Sequence, residues 1–176
     1  MHGQPPVIIE PYESAWPKRF ESERLLLAPV LAPWLAGPIE HVGSTAVPGL
    51  PAKPVIDIMA AVRDLPSSIP AIEALNHLSY CYFDYRADVM HWFCKPSNLD
   101  RTHHLHLVPF DCPLWRDRLE FRDRLRTDAA TRRSYAELKL ALASKHRDDR
   151  DAYTDGKTDF IRFVLEAIDM DTADQR

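Results

Sequence analysis

What the chain lacks narrows the field first. Its three cysteines, Cys81, Cys94 and Cys112, stand far apart and form no CxxC pair. That excludes a disulfide framework and a thiolate zinc site, and reads as reduced cytosolic thiols. No stretch approaches the ~18 apolar residues of a membrane span, and the opening MHGQPPVIIEPYE carries no basic-then-apolar leader. A cytoplasmic protein without a membrane partner is therefore expected. Positive charge is not in surplus: the formal net charge is -4, which gives no general drive toward nucleic acid. Glycine is scarce, with five against fifteen prolines, and no GxxxxGK[ST] occurs, so a Walker-type phosphate loop is excluded.

What is present divides into two regimes. The 176 residues suit a single domain over 1–176, strand-rich to about residue 110 and, once the prolines stop, helical over about 111–170. VIIEPY (7–12) reads as a short strand. ESAWPKRFESERLLLAPVLAPWL reads as a helix capped by Ser14, with Pro29 and Pro33 bending or ending it. PIEHVGS is a short strand running into a turn, and PVIDIMAAV is apolar enough for a central strand with both faces covered. SSIPAIEALNHLSY is helical by its spacing, YCYFDYRADVMHWFCKP offers strands broken near Ala87-Asp88, and HHLHLVPF alternates as a strand. Three helices follow, the first capped by Asp111. Strands in the middle and helices at the end predict an α+β fold, a mixed sheet flanked by helices with a C-terminal helical segment.

Asp57 is the residue that calls for an explanation. It interrupts the apolar run VIDIMAAV, where an unpaired charge is costly. A metal ion, a cationic ligand or a histidine would account for it, and so would a structural arginine. Before it lies Gly43-Ser44: glycine permits close approach of the backbone to an anion, Ser44 and Thr45 offer donors for phosphate oxygens, and Lys53 adds a point charge. A plain turn explains the same residues. On a strand, His104 and His106 of HHLHLV share a face. With Asp57 they would form a set for a divalent ion (Zn²⁺, Mn²⁺ or Fe²⁺, less naturally Mg²⁺), with His41 orienting Asp57 from behind; a solvated sheet face is the plainer alternative. In the helical third, Arg122 and Arg126, Tyr135 and Lys139, and Tyr153 and Lys157 are each four apart. Each pair shares a helix face and could stack on a base or grip a phosphate, or simply meet solvent. If Asp57 is an expensive buried charge, Asp57→Asn should leave the fold intact or steadier.

The block EHVGSTAVPGLPAKPVIDI, followed in order by RTHHLHLV, FRDRLR, SYAELK and DAYTDGKTDFI, resembles the GrpB family. Through it the chain resembles the nucleotidyltransferase superfamily that includes DNA polymerase beta and the aminoglycoside nucleotidyltransferases. The resemblance covers about Val7 to Ala167. It implies a nucleotidyltransferase-like fold in which Gly43, Ser44 and Thr45 hold phosphate, Asp57 and Ser44 are catalytic, and Lys53, Arg122, Lys139 and Lys157 frame the cleft. The ligand implied is a nucleotide or another phosphorylated small molecule, with a divalent metal on Asp57, His104 and His106. The superfamily carries a second acid two residues after the first; here that position is Met59. A metal-dependent transferase is one reading. The other is a non-catalytic binding or docking module, since GrpB-like domains also occur fused to dephospho-coenzyme A kinase.

Overall fold

A computed structural model describes residues 6–173. Its centre is a five-stranded mixed sheet in the order β1-β2-β5-β4-β3, with β1 Leu35–Val42, β2 Ile56–Val62, β3 Cys81–Phe83, β4 His91–Pro96 and β5 Arg101–Pro109. β2 and β5 are parallel and the other neighbours antiparallel. The helices are α1 Trp16–Leu31, α2 Pro70–Leu75, α3 Pro113–Thr127, α4 Ala129–Lys145, α5 Arg150–Asp155 and α6 Thr158–Ala173.

β2 is central, which explains its nearly unbroken apolar run. Ile56, Ile58, Ala60 and Val62 point to one face and pack with Leu105, Leu107 and Phe93 beneath Leu27 and Leu31 of α1 and Leu75 of α2. Each large aliphatic side chain buried there contributes about 1.5–3 kcal/mol. Met59 and Ala61 point the other way and meet Val42, Met90, Val108 and Trp115, the last from α3. A third cluster joins Val47 and Leu50, just after the Gly-Ser turn, to Leu125 of α3 and Tyr135 of α4. It ties the helical third to that turn and leaves a cleft between them.

Several expectations are corrected in detail. Residues 7–12 form no strand; Glu10 makes only an isolated bridge to Ala52. α1 begins at Trp16 with Ala15, not Ser14, at the cap position and no capping side chain. It runs past Pro29 and stops before Pro33. At α3 the cap position is Cys112, because Asp111 takes a left-handed φ of 57° in the turn before it. The last predicted helix is two, α5 and α6, so four helices rather than three follow residue 112. The break at Gly156-Lys157 packs closely on α4: a Cβ on Gly156 would meet Leu142. No helix among the described residues is long and apolar enough to cross a membrane.

Candidate functional site

Register brings the proposed residues together. In the parallel β2/β5 pair, Asp57 lies opposite His104 and Met59 opposite His106, so all four share the face toward α3. Asp57 Oδ1 accepts a hydrogen bond from His104 Nδ1 at 2.9 Å. Burial alone would raise the Asp57 carboxyl, but the His104 bond, with the electrostatics of His104, His106 and Arg118 beside it, holds it well below the usual carboxylate range. With Nδ1 donating, the His104 tautomer leaves Nε2 as an acceptor, and Nε2 is buried without a partner.

The Gly-Ser turn leans on the same carboxylate. Gly43 has φ 71° and ψ -171°, a region almost confined to glycine, and a Cβ there would strike Asp57 Oδ2. Both conformation and space therefore demand glycine. Ser44 begins a single 3-10 turn, Ser44–Ala46, and its side chain hydrogen-bonds the Tyr135 phenol, which burial pushes above its usual range. Thr45 is used internally: its hydroxyl donates to the Val55 carbonyl at 3.2 Å and so accepts from His41 Nε2 at 2.9 Å.

These residues line a cleft of about 810 Å³, within the range of small-molecule sites. Gly43, Ser44, Thr45, Lys53, Asp57, His104, His106, Arg122, Lys139 and Lys157 all reach it. Eight lysine and arginine side chains line it against four aspartates, the reverse of the chain's overall balance of -4. At one end Tyr153 lies between Lys53 and Lys157, whose ammonium groups stand 5.5 and 4.4 Å from its ring centre. Burial, with Lys53 nearby, lowers Lys157 to about 8. Lys139 sits 5.0 Å over the Tyr135 ring and donates to the Pro51 carbonyl; burial and Lys157 lower it to about 7. These three cations stand close together with aromatic faces rather than carboxylates beside them.

Two assigned roles are corrected. His41 does not orient Asp57. It pairs with Ile58 in the register, on the opposite face of the sheet, stacks on Phe20 at 4.8 Å and fixes the turn through Thr45. Burial lowers it to about 4, so it is neutral. Arg122 is not available to hold phosphate alone: it binds Glu40 at 2.7 Å, the His41 carbonyl at 3.0 Å and both oxygens of Asp123. It anchors α3 to β1 at the edge of the cleft. Sequence reasoning passed over Arg118, which lines the cleft and whose charge acts on Asp57 and His106. The signal was there, because Arg118 stands four residues before Arg122.

The residues fit a resident divalent ion poorly. Among the described residues no group of three or more His, Cys, Asp or Glu side chains is gathered to hold a metal. Asp57 Oδ1 is engaged by His104, His106 Nδ1 faces the Met90 sulfur at 3.4 Å, and Met59 is fully buried in the apolar cluster. Of the expected ligand set, Asp57, His104 and His106, only Asp57 is a carboxylate, where Mg²⁺ demands a near-octahedral oxygen shell.

The pattern of the family described as GrpB protein matches residues 6–167. The chain belongs to the GrpB family. It is 31% identical over 169 residues to the glutamate-rich protein GrpB of Alkalihalophilus pseudofirmus, covering 90% of this chain and 94% of that one. It is 39% identical over 161 residues to UPF0157 protein PA4798 of Pseudomonas aeruginosa, covering 88% of this chain but 64% of that protein. A third relative, UPF0157 protein YqkA of Bacillus subtilis, is 30% identical and is spanned over 45% of its length. Some GrpB relatives thus carry substantial sequence beyond the part shared here. The fold matches the crystal structure of conserved protein GrpB from Enterococcus faecalis with a TM-score of 0.82, at 31% identity, over 91% of this chain and 96% of that one.

Proposed function

We propose that this GrpB-family chain binds a nucleotide or another phosphorylated small molecule in the cleft between the Gly43-Ser44 turn and the helical third. One observation carries the reading: eight basic side chains against four acidic ones line a single cleft in a chain of net charge -4. Within that set Lys53, Lys139 and Lys157 face aromatic rings rather than carboxylates, and cations so buried destabilise the empty protein. Their retention is explained if a polyanion completes the site. Lys53, Lys157 and Lys139 would meet phosphate oxygens, Tyr153 and Tyr135 would offer aromatic faces, and Gly43 and Ser44 would bring backbone close to the ligand.

Group transfer is a second reading, favoured by the Asp57–His104 pair. An ionised carboxylate fixing an imidazole tautomer can set the remaining nitrogen to take a proton from an attacking hydroxyl. Metal-dependent nucleotidyl transfer is the sharpest form of this reading. With Met59 in place of a second acid, an ion would depend largely on the ligand's own phosphates. Without transfer, the same cleft serves a non-catalytic binding module.

The test is thermal and chemical unfolding of the purified chain with ATP, ADP and inorganic pyrophosphate, each with and without Mg²⁺, Mn²⁺ or Zn²⁺. A ligand present at 100 times its Kd stabilises by about 2.7 kcal/mol. The reading predicts such a shift for at least one phosphate ligand and its loss in Lys157→Met. No shift with any of them would contradict it.

A further inference from the structure

Five of the eight cations of the cleft fall into two groups on either side of Asp57. The first, Lys53, Lys139 and Lys157, belongs to the connection before β2 and to the helical third. Asp57 acts on Lys53 and Lys157, and Lys157 acts on Lys139. The second group is Arg118 on α3 and Arg86 in the loop between β3 and β4. Asp57, Arg86 and the Tyr85 phenol act on Arg118. Lys53 precedes Asp57 on the way into β2, whereas the β3–β4 loop enters β4 at His91, which pairs with Leu107, three residues beyond the Asp57–His104 pair, so the two groups lie on opposite sides of Asp57.

Arg118 is held in place by packing. Its neighbours Trp115, Leu114 and Leu119 seat α3 on Val42, Met59, Met90 and Val108. From there its charge acts on both Asp57 and His106 of the facing sheet. Arg118 and Arg86 both line the cleft, and the charge of Arg86 acts on Arg118. Asp84 and Asp117 line it too, yet among the described residues the ion pairs of the neighbourhood involve neither acid and neither arginine: Arg116 pairs with Asp111 at 3.9 Å and Arg122 with Asp123 at 2.7 Å. A planar guanidinium presents a fork of donors that matches a carboxylate or a phosphate. Like charges brought together, with no ion pair to either among the described residues, mark a place for an external anion.

We infer that Arg118 and Arg86 form a second anion subsite, across Asp57 from the lysine group, which takes the carboxylate or phosphate of a second small molecule. The cleft then holds two anionic ligands, or two ends of one, with the Asp57–His104 pair between them. This rests on the phosphate-binding reading only for what fills the lysine end.

Calorimetric titration of inorganic pyrophosphate into the full chain at low salt tests it. The subsite predicts two equivalents. Arg118→Gln should abolish one, or weaken it at least tenfold, and leave the other. Arg86→Gln, at an exposed loop position, should repeat the effect without perturbing α3. Lys53→Met/Lys157→Met should remove the complementary equivalent. One equivalent in the parent chain that vanishes with the lysines would overturn the second subsite and leave the phosphate-binding reading standing. One equivalent that vanishes with Arg118 alone would support the subsite and overturn the lysine assignment; none at all would overturn both. Competition names the ligand's group. Malonate displacing the Arg118-dependent equivalent assigns the subsite to carboxylates, inorganic phosphate alone doing so assigns it to phosphates, and displacement by neither contradicts it.

Discussion

At the scale of single residues, Asp57 and His41 show how surroundings decide the meaning of a charge. On sequence grounds Asp57 is an expensive buried carboxylate whose replacement by asparagine should leave the fold intact or steadier. The structure reverses the sign. The His104 bond and the nearby cations outweigh burial and keep Asp57 ionised. A depressed carboxyl contributes stability that is present above its unfolded pKa of about 3.9 and is lost as pH falls below it. Asp57→Asn should therefore lower stability at pH 7 and flatten the acid limb of the profile, as denaturant unfolding would show. It should also tighten metal-free pyrophosphate binding by about threefold to tenfold, because a negative charge leaves the anion's neighbourhood. Weaker metal-free binding would show that Asp57 orders the cleft's donors for the anion rather than repelling it. His41 works in the opposite pH window. Burial lowers it to about 4, so between there and about 6.5 the unfolded chain binds a proton that the folded chain refuses, and stability rises with pH at about 1.4 kcal/mol per unit. In His41→Gln that slope should fall by about one proton between pH 4.5 and 6; an unchanged slope would show that His41 is not buried neutral. Gly43→Ala should cost about 1–3 kcal/mol from its backbone conformation alone and displace Asp57, read as lost stability together with altered pyrophosphate affinity.

At the scale of elements, periodicity and apolar runs located most of the sheet. β2 reads directly from VIDIMAAV, and the parity of HHLHLV places His104 and His106 on one side, where the β2/β5 register sets them beside Asp57 and Met59. The Tyr-x₃-Lys spacing was equally legible, since Tyr135–Lys139 and Tyr153–Lys157 are both stacked pairs. Element ends were less so. The cap positions of α1 and α3 carry no side-chain hydrogen bond, so the polar residues nearby misled. The roles of His41 and Arg122 depended on long-range partners, Phe20 and Glu40, that no local pattern shows. The N-terminus of α4 offers a control, because its cap residue does not line the cleft although Tyr135 and Lys139 further along the helix do. Asp128 caps it, accepting from the backbone of Ala130 and Thr131 and from the Thr131 hydroxyl. Asp128→Ala should cost about 1 kcal/mol and leave ligand affinity unchanged; a change in affinity would show that α4 moves with its cap.

At the scale of the whole molecule, the charges are sorted. A chain of net charge -4 gathers eight lysines and arginines against four aspartates around one cleft. Such a site should bind anions strongly at low salt and lose affinity as salt screens it. It also sets stability against function. Lys157→Met removes a half-buried cation that burial and Lys53 both disfavour, so the empty protein should unfold at higher denaturant below pH 8, with the gain shrinking as pH rises and Lys157 itself discharges. The most direct test of the phosphate-binding claim is calorimetric titration of ATP into the parent chain and into Lys53→Met/Lys157→Met under identical salt. Saturable binding by the parent chain, weakened at least tenfold in the double variant despite equal or greater stability, is the predicted result; absence of binding by the parent chain, or equal affinity in the two proteins, would contradict the account.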